Sequence, residues 1–369
     1  MADLDSGHLA GLRIAVTGAS GNVGTALLRR LAADGNGPAE IRGLARRQPP
    51  DVPPYAGVRW FSADLGDPAA EAVLPDFLDG VDAVVHLAWA LQPGRHPDRL
   101  RQVNVDGTRR VLRAAVATGV RHVVHMSSIG AYAAGSRGRK VGEDWPVTGI
   151  PTSQYSRDKA EAEHVARQVL GNHLEVVLSI VRPTLVLQPE AASEIGRYFL
   201  GPLLYGAARA LPGSVARVLP LPLPDLAVGF VHSDDVADAF ARILDRRAPG
   251  PFNLAAEPLL DARALARALG SSRVPVPAVA LRAALQVAFT AHLVPTEPGW
   301  LDMGTQLPGL DTTRARTLLG WAPRHAGDDV LAQFVAALGR GEGAPGPLLS
   351  PAGGRALDPA GDPSNAPGS

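Results

Sequence analysis

The feature that most constrains this chain is a glycine-rich turn between a strand-like run and a helical pattern near the N-terminus. Residues 12–17 read LRIAVT, and residues 23–33 have helical spacing. The turn between them reads Gly18-Ala19-Ser20-Gly21-Asn22-Val23-Gly24, a G-x-x-G-x-x-G spacing. The N–H groups and positive dipole end of such a helix bind phosphate. The turn therefore predicts the first unit of an α/β fold that binds a dinucleotide, the alternative being a glycine-rich turn without a ligand.

Strand-like and helical patterns alternate along the next part of the chain. Strands are expected at 40–45, 58–63, 83–88, 121–127 and 176–182, and helices at 69–78, 98–118 and 154–169. This alternation is typical of a doubly wound parallel sheet with helices on both faces, a Rossmann-type α/β fold.

The change in composition along the chain predicts how it is divided. We expect an N-terminal tail at 1–10, an NAD(P)-binding Rossmann domain at 11–182, and a smaller, mostly helical substrate-binding region at 183–340. Residues 230–245, a strand followed by a helix, are expected to return to the Rossmann domain. Residues 341–369 are Gly, Pro, Ala and Ser without periodicity, which predicts a disordered tail.

Composition excludes several classes of function. The 36 basic and 36 acidic residues balance, so neither nucleic acid nor an anionic membrane is an expected partner. The chain has no cysteine, which excludes disulfides and thiolate metal sites, and no metal site is predicted. The first eleven residues lack a signal-like apolar run, and the apolar stretch at 273–300 is too interrupted to span a membrane. We therefore expect a cytoplasmic protein with a small-molecule substrate.

The end of the second predicted strand bears on the choice of dinucleotide. An acidic residue there would bind the ribose hydroxyls of NAD, but the sequence is Leu44-Ala45-Arg46-Arg47. Guanidinium groups suit a 2′-phosphate, which favours NADP, with NAD as the alternative. A solvated surface pair is the other interpretation of the two arginines. Asp64, after the third strand, is expected either to meet the adenine or to cap the following helix.

Three polar residues form the predicted catalytic group. Tyr155 and Lys159 lie at i and i+4 on one helix face, and Ser127-Ser128 closes the preceding strand. A nearby ammonium and an oxidised nicotinamide would stabilise the tyrosine phenolate and lower the usual phenol pKa of about 10. The phenol can then exchange a proton with a substrate oxygen that the serine hydroxyl holds. Lys159 is one of only two lysines, which fits a role that needs a compact cation.

Together these segments resemble the extended short-chain dehydrogenase/reductase family, the group of NAD-dependent epimerase/dehydratase-like proteins. The matching segments are TGASGNVG at 17–24, ADL at 63–65, HLA at 86–88, NVDGT at 104–108, MSSIGAY at 126–132, YSRDK at 155–159, RP at 182–183, FVHSDDVA at 230–237 and DTTRARTLLGWAP at 311–323. The resemblance covers about residues 11–335.

The resemblance implies roles for individual residues. Ser128, four residues before Tyr132, is expected to be catalytic rather than Ser127, with Tyr155 as acid/base and Lys159 beside it. The residues expected to bind the cofactor are Gly18, Ser20, Gly21, Asn22, Val23, Gly24, Arg46, Arg47, Asp64, Leu65, Leu87, Ala88, Asn104, Tyr155, Lys159 and Pro183. Asn104 fits equally a structural amide, and Asp235 resembles a structural helix cap. The resemblance also implies a possible homodimer through the Tyr-Lys helix.

Departures from the family pattern narrow the expected reaction. Ile129 and Gly130 stand where dehydratases carry an Asp-Glu pair, and Arg182 is not followed by the asparagine typical of sugar-nucleotide epimerases. Residues 42–46 instead resemble NADP-dependent reductases such as the dihydroflavonol reductase group. We therefore predict a ketone or aldehyde reductase, or an alcohol dehydrogenase, acting on a small apolar substrate. The alternatives are a sugar-nucleotide epimerase with tightly bound NAD and a non-catalytic dinucleotide-binding sensor.

Overall fold

A seven-stranded parallel sheet organises the molecule in a computed structural model that describes residues 9–351 except 34, 36, 92–94, 137 and 200–219. The strands are β1 (Arg13–Thr17), β2 (Glu40–Ala45), β3 (Arg59–Ser62), β4 (Ala83–His86), β5 (His122–Met126), β6 (Lys140–Val141), β7 (Val177–Pro183), β8 (Leu185–Leu187), β9 (Leu221–Leu223), β10 (Ala227–Val228), β11 (Phe230–His232), β12 (Gly250–Leu254), β13 (Leu260–Asp261), β14 (Arg273–Pro275) and β15 (Gly309–Leu310). The large sheet has the order β12-β7-β5-β4-β1-β2-β3.

Helices cover both faces of this sheet. They are α1 (Asn22–Ala32), α2 (Ala70–Leu78), α3 (Pro97–Arg101), α4 (Gly107–Ala117), α5 (Gln154–Leu170), α6 (Ser233–Arg246), α7 (Ala262–Ala268), α8 (Ala278–Thr290), α9 (Gly299–Gln306), α10 (Thr313–Leu319) and α11 (Gly327–Arg340), and residues 192–199 are also helical. The single helix expected at 98–118 is divided, because a π-helical turn at Gln102–Asp106 separates α3 from α4. The predicted Rossmann-type fold is confirmed.

The order of the sheet reverses at β1, which pairs with β2 on one side and with β4 on the other. In parallel sheets, ligands bind beyond the carboxyl ends of the strands at such a switch point. Ile14, Ala15 and Val16 of β1 are fully buried, because both faces of the sheet are covered. The switch point therefore places the glycine-rich turn after β1 beside the residues that follow β4.

The sheet uses more of the chain than the predicted domain boundaries allow. Strand β12 pairs with β7, although its residues lie beyond both 182 and the expected return at 230–245. Trp321 is also in the Rossmann core, where it belongs to the same apolar cluster as Leu27 of α1 and donates its Nε1–H to the Asp235 carbonyl at 2.8 Å. Such long-range pairings leave no local periodicity, so the sequence pattern did not indicate them.

The segment after α11 differs from the disordered tail expected at 341–369. Leu349 is fully buried against Ala191, and the Ala344 N–H donates to the Leu349 carbonyl at 2.7 Å. The Arg197 guanidinium donates to the carbonyls of Leu348 and Ser350 at 3.3 and 3.2 Å. Residues 343–350, the C-terminal loop, are therefore folded through backbone contacts and one apolar anchor, which composition does not reveal. Residues 1–8 and 352–369 lie outside the described residues.

The apolar stretch at 273–300 forms the 13-residue helix α8 and the segment after it. Over the part of the chain that the structure describes, no helix has the length and hydropathy needed to cross a membrane.

Candidate active site

The glycine-rich turn forms a narrow cradle because each glycine is required by close backbone approach. Gly18 has a φ of +68°, and a Cβ there would lie 2.8 Å from the Ala88 backbone nitrogen. A Cβ at Gly24 would lie 2.4 Å from the Gly18 carbonyl oxygen. Gly21 precedes the first residue of α1 in extended backbone, so the N–H groups of the first turn are directed at the cradle. These residues fit the pyrophosphate of a dinucleotide.

The other residues of the turn differ from the glycines in what they could offer a ligand. The side chains of Ser20 and Val23 are buried, and contact of these residues with the cofactor stays a prediction. The Asn22 side chain donates to the Val186 carbonyl at 2.9 Å and accepts from the Ser233 hydroxyl at 2.7 Å. Asn22 therefore joins α1 to the strand and helix that follow β7.

The C-terminal loop lies at the mouth of the cradle, a neighbour that the sequence did not indicate. A Cβ at Gly21 would lie 3.9 Å from Cδ1 of Leu348. A Cβ at Gly346 would lie 2.9 Å from the Tyr55 hydroxyl oxygen, which is 3.0 Å from the Thr25 hydroxyl of α1. The loop thus contacts both the turn and the first helix.

The residues predicted to bind the adenosine part of the cofactor differ in their exposure and in their contacts. Arg46 and Arg47 are exposed directly after β2. Asp64 accepts the Gly66 N–H at 2.9 Å and pairs with Arg99, so both carboxylate oxygens already have partners. The bond to Gly66 spans two residues and forms a local turn, whereas α2 begins at Ala70 without a side-chain cap. Asp64 therefore does not cap α2, and its contact with an adenine stays a prediction. The Leu65 side chain is buried in the core beneath α2 and α4, and contact of this residue with the cofactor stays a prediction.

The residues after β4 are fixed by a buried polar chain. The His86 ring bridges the hydroxyls of Thr17 and Thr108 at 2.7 and 2.9 Å. Asn104 accepts the Ala90 N–H at 2.7 Å and donates to the Ala90 carbonyl at 3.0 Å. These bonds support the alternative interpretation of Asn104 as a structural amide, and they hold the segment that contains Leu87 and Ala88 beside the cradle. Pro183 is buried at the end of β7.

Ser128 and Tyr155 come together at the carboxyl end of β5. The Ser128 hydroxyl accepts the Gly130 N–H at 3.0 Å and begins a 3-10 turn at Ile129–Ala131. Burial raises the pKa of Tyr155 to about 12, and a hydrogen bond with Ser128 opposes this rise. A Cβ at Gly130 would lie 2.8 Å from Cε1 of Tyr155, so this glycine permits the approach. Burial therefore opposes the lowering of the Tyr155 pKa that the ammonium and an oxidised nicotinamide are expected to produce.

Lys159 lies one helical turn after Tyr155 and is 4% exposed. Its Nζ donates to the Met126 carbonyl at 3.0 Å and lies 3.5 Å from the ring centroid of Trp89. The distance from Nζ to the Tyr155 ring centroid is 6.0 Å. Burial lowers the pKa of Lys159 to about 7, although Glu163 and Asp158 act in the opposite direction.

Ser127, the alternative serine, belongs to a buried charge network instead. Its hydroxyl donates to Glu163 at 2.5 Å, and Arg182 binds both oxygens of the same carboxylate at 2.8 and 2.7 Å. Arg182 also donates to the Tyr132 hydroxyl at 2.7 Å. The network holds β5, α5 and β7 together below the site, which supports the choice of Ser128. In the sequence, three of its residues lie in matching motifs, the segments 126–132 and 182–183, whereas Glu163 does not.

Aromatic rings that the sequence did not single out surround Tyr155. The Tyr155 ring lies 4.8 Å from that of Trp300 and 6.0 Å from that of Trp89, measured between centroids. Phe199 packs edge-on against Trp300 at 4.9 Å. The Glu297 carboxylate accepts the Gln154 N–H at 3.1 Å and so caps α5. With five tryptophans in 369 residues, two beside one tyrosine mark this pocket as aromatic.

The small cavity next to Tyr155 has a mixed lining. Apolar contacts come from Leu91, Leu100 and Trp300, and the polar groups include Asp158 and Glu297. Burial raises the pKa of both carboxyls. Within the described ranges, no group of three His, Asp or Glu side chains is placed to hold a metal ion.

Comparison with known proteins defines the family. Residues 14–255 match the model of the NAD dependent epimerase/dehydratase family, and the chain therefore belongs to this family, as the sequence motifs predicted. It is 31% identical to a dTDP-6-deoxy-L-talose 4-dehydrogenase (NAD(P)(+)) of Kitasatospora kifunensis over 86% of this chain and 93% of that protein. It is 29% identical to a UDP-glucose 4-epimerase of Mycolicibacterium smegmatis over 88% of this chain and 97% of that protein.

Other relatives are longer or share mainly the fold. An uncharacterized protein of Mycobacterium tuberculosis is 30% identical over 89% of this chain, but the chain spans only 30% of that relative's length. A solved dTDP-glucose 4,6-dehydratase of Streptomyces venezuelae, with NAD bound, has a TM-score of 0.66 and 24% identity, and the match covers 88% of this chain and 96% of that one.

Proposed function

We propose that this chain is an NAD(P)-dependent oxidoreductase that transfers hydride between the dinucleotide and the carbonyl or secondary alcohol of a small, apolar substrate. The observation that carries the proposal is the placement of Ser128 and Tyr155 together beside Gly130, where an added Cβ would lie 3.4 Å from the Ser128 hydroxyl oxygen and 2.8 Å from Cε1 of Tyr155. Lys159 lies on the next helical turn, and the same edge of the sheet holds the glycine cradle. Proton donor, oxygen-binding hydroxyl and phosphate site thus share one edge.

The side chains have distinct roles in the proposed reaction. The bound dinucleotide would supply or accept the hydride. Tyr155 donates its phenol proton to the substrate oxygen during reduction, and the raised pKa of Tyr155 keeps the phenol protonated before that step. Ser128 holds the same oxygen, and the Lys159 ammonium stabilises the phenolate that remains.

The identity of the dinucleotide is part of the proposal. Arg46 and Arg47 follow β2 with exposed side chains, where a carboxylate would bind the ribose of NAD. A 2′-phosphate suits these guanidinium groups, so we expect NADP to bind more tightly than NAD.

The substrate side of the site supports an apolar ligand. Trp300, Phe199 and Trp89 present aromatic surface around Tyr155, whereas a sugar diphosphate would need cationic and hydrogen-bonding partners. An epimerase that keeps NAD bound is the second candidate, because the chain is similar to a UDP-glucose 4-epimerase over most of its length. A homodimer formed through α5 and a cytoplasmic location stay predictions.

A cofactor assay followed by a substrate screen tests the proposal. The protein is first analysed for dinucleotide that is already bound, and is then titrated with NADPH and NADH. Selective NADPH binding, and ketone or aldehyde turnover that falls about 10²- to 10⁴-fold in Tyr155→Phe, would support the reductase. Retained NAD with turnover of a nucleotide sugar would favour the epimerase. Dinucleotide binding without any Tyr155-dependent turnover would favour the non-catalytic sensor.

A further inference from the structure

We propose that Trp89 is a positioning residue that keeps the Lys159 ammonium charged and in place through a cation–π contact. The inference rests on the proposed function, because Lys159 acts there by stabilising the Tyr155 phenolate. It concerns a residue that lies outside the glycine, serine and Tyr-Lys motifs of the chain.

The geometry places the ammonium between two partners. The Trp89 ring centroid is 3.5 Å from Nζ on one side, and the Met126 carbonyl accepts a hydrogen bond at 3.0 Å on the other. A cation within about 6 Å of an aromatic face is attracted to it, most strongly by tryptophan and where water is excluded. Lys159 is 4% exposed, so this contact is made largely without water.

The neighbouring carboxylates are hydrogen-bonded to groups other than the Lys159 ammonium. On α5, Asp158 accepts a hydrogen bond from Gln154, and Glu163 is bound by Arg182 and Ser127. Among the described residues Nζ makes no ion pair within 4 Å with either carboxylate.

The groups on the adjacent strands are neutral or distant. Burial lowers the pKa of His125 on β5 to about 3 and lowers the pKa of His86 on β4 well below its usual value. The phenol of Tyr155 belongs to a ring whose centroid is 6.0 Å from Nζ. These groups supply no negative charge at neutral pH. The Trp89 face and the Met126 carbonyl therefore make the direct contacts that stabilise the ammonium, in addition to the longer-range attraction of Glu163 and Asp158.

Trp89 contributes its aromatic face rather than a hydrogen bond from its indole N–H. Its Nε1 is buried and has no hydrogen-bond partner in the described part of the chain, a disadvantage that phenylalanine would avoid. The residues on either side are fixed, since Ala88 packs against Gly18 and Ala90 is bound by Asn104. The stronger π face of tryptophan explains why the indole occupies this position.

The small number of lysines makes the test direct. The chain has two lysines, so protein with ¹³C-labelled lysine gives two ε-carbon signals, and Lys140→Arg assigns them. In Trp89→Leu the titration midpoint of Lys159 is expected to fall by about one pH unit, a tenfold change in the protonation equilibrium. In Trp89→Phe the Lys159 midpoint is expected to lie between the wild-type value and the value in Trp89→Leu. Trp145→Leu is the matched control, since Trp145 packs on Arg139 rather than on Lys159.

Activity provides the second readout. The alkaline limb of the pH dependence of kcat/KM is expected to move to lower pH in Trp89→Leu by the same amount as the Lys159 midpoint. At pH values below that limb, the NADPH affinity of the variant is expected to match that of the wild type. An unchanged Lys159 midpoint in Trp89→Leu would overturn the inference. If that variant does not fold, the wild-type sequence is produced with fluorinated tryptophan, which weakens the π face without changing its shape. An unchanged Lys159 midpoint in the fluorinated protein would overturn the inference equally.

The lysine titration does not depend on turnover. A lowered midpoint in a protein without carbonyl reduction would reject the proposed function and retain the contact. Carbonyl reduction with an unchanged midpoint would retain the function and reject the role of Trp89.

Discussion

Adding a single methyl group at Gly130 tests whether the Ser128–Tyr155 geometry is responsible for activity. A Cβ there would lie 2.8 Å from Cε1 and 3.2 Å from Cδ1 of Tyr155. Ordinary van der Waals contact begins near 3.4 Å, so the ring must move by about 0.6 Å. A displacement approaching 1 Å costs up to about 10²-fold in rate, and we expect kcat/KM of Gly130→Ala to fall about 10- to 100-fold.

The structure predicts that Gly130→Ala lowers activity without preventing folding or weakening cofactor binding. Overpacking of this kind costs about 1–3 kcal/mol of stability, so the variant should fold. The cradle lies on the turn after β1, and NADPH affinity should therefore stay within about twofold of the wild type, since Gly130 packs against Tyr155 and not against the turn.

The assay compares steady-state carbonyl reduction with NADPH binding in the same preparations. Gly339→Ala in α11 is the matched control, because a Cβ there meets nothing within 4 Å. It should leave activity unchanged and stabilise the helix by about 0.5–1 kcal/mol. Undiminished kcat/KM in Gly130→Ala, or an equal loss of cofactor affinity, would refute the reasoning.

Three further outcomes follow from the same contacts. Arg46→Ala should weaken NADPH binding at least about tenfold more than NADH binding, and equal losses in a fluorescence titration would exclude a phosphate-reading role. Glu163→Gln should lower the free energy of unfolding in urea by about 3–5 kcal/mol, because the buried Arg182 charge loses its partner, and a loss below about 1 kcal/mol would count against the network. The Lys159 pKa is about 7 in the folded protein and near 10.5 when unfolded, so the unfolded state binds more protons between these values. The free energy of unfolding should therefore rise with pH over that window, and Lys159→Met should flatten this rise.

The parts of the fold that were predictable are those set by local patterns. The glycine turn, the strand β1 and the Tyr155–Lys159 spacing each depend on neighbours within one turn or one strand, and sequence records these directly. Strand β12 and the C-terminal loop depend on partners far along the chain, so their place in the core could not be read from periodicity.

In the candidate site, too, features set by local motifs were predictable and features set by distant partners were not. The motifs indicated Ser128, Tyr155 and Lys159, but not the burial of Tyr155 by rings that lie in other segments, which raises its pKa. Trp89 and Trp300 are distant in sequence and meet only around the folded tyrosine. Side-chain direction and burial decide such contacts, and neither is encoded in motif spacing.

The place of Trp321 in the core has a consequence for synthesis on the ribosome. The apolar face of α1 is made early, yet α6, which packs against it, and Trp321, which is bonded to α6 at Asp235, come much later in the chain. Translation proceeds from the N-terminus, so the nascent dinucleotide-binding unit emerges with that face uncovered and cannot close its sheet before β12 has been made. A chaperone that binds apolar surface should therefore associate with nascent chains that contain α1 and release them once Trp321 has emerged.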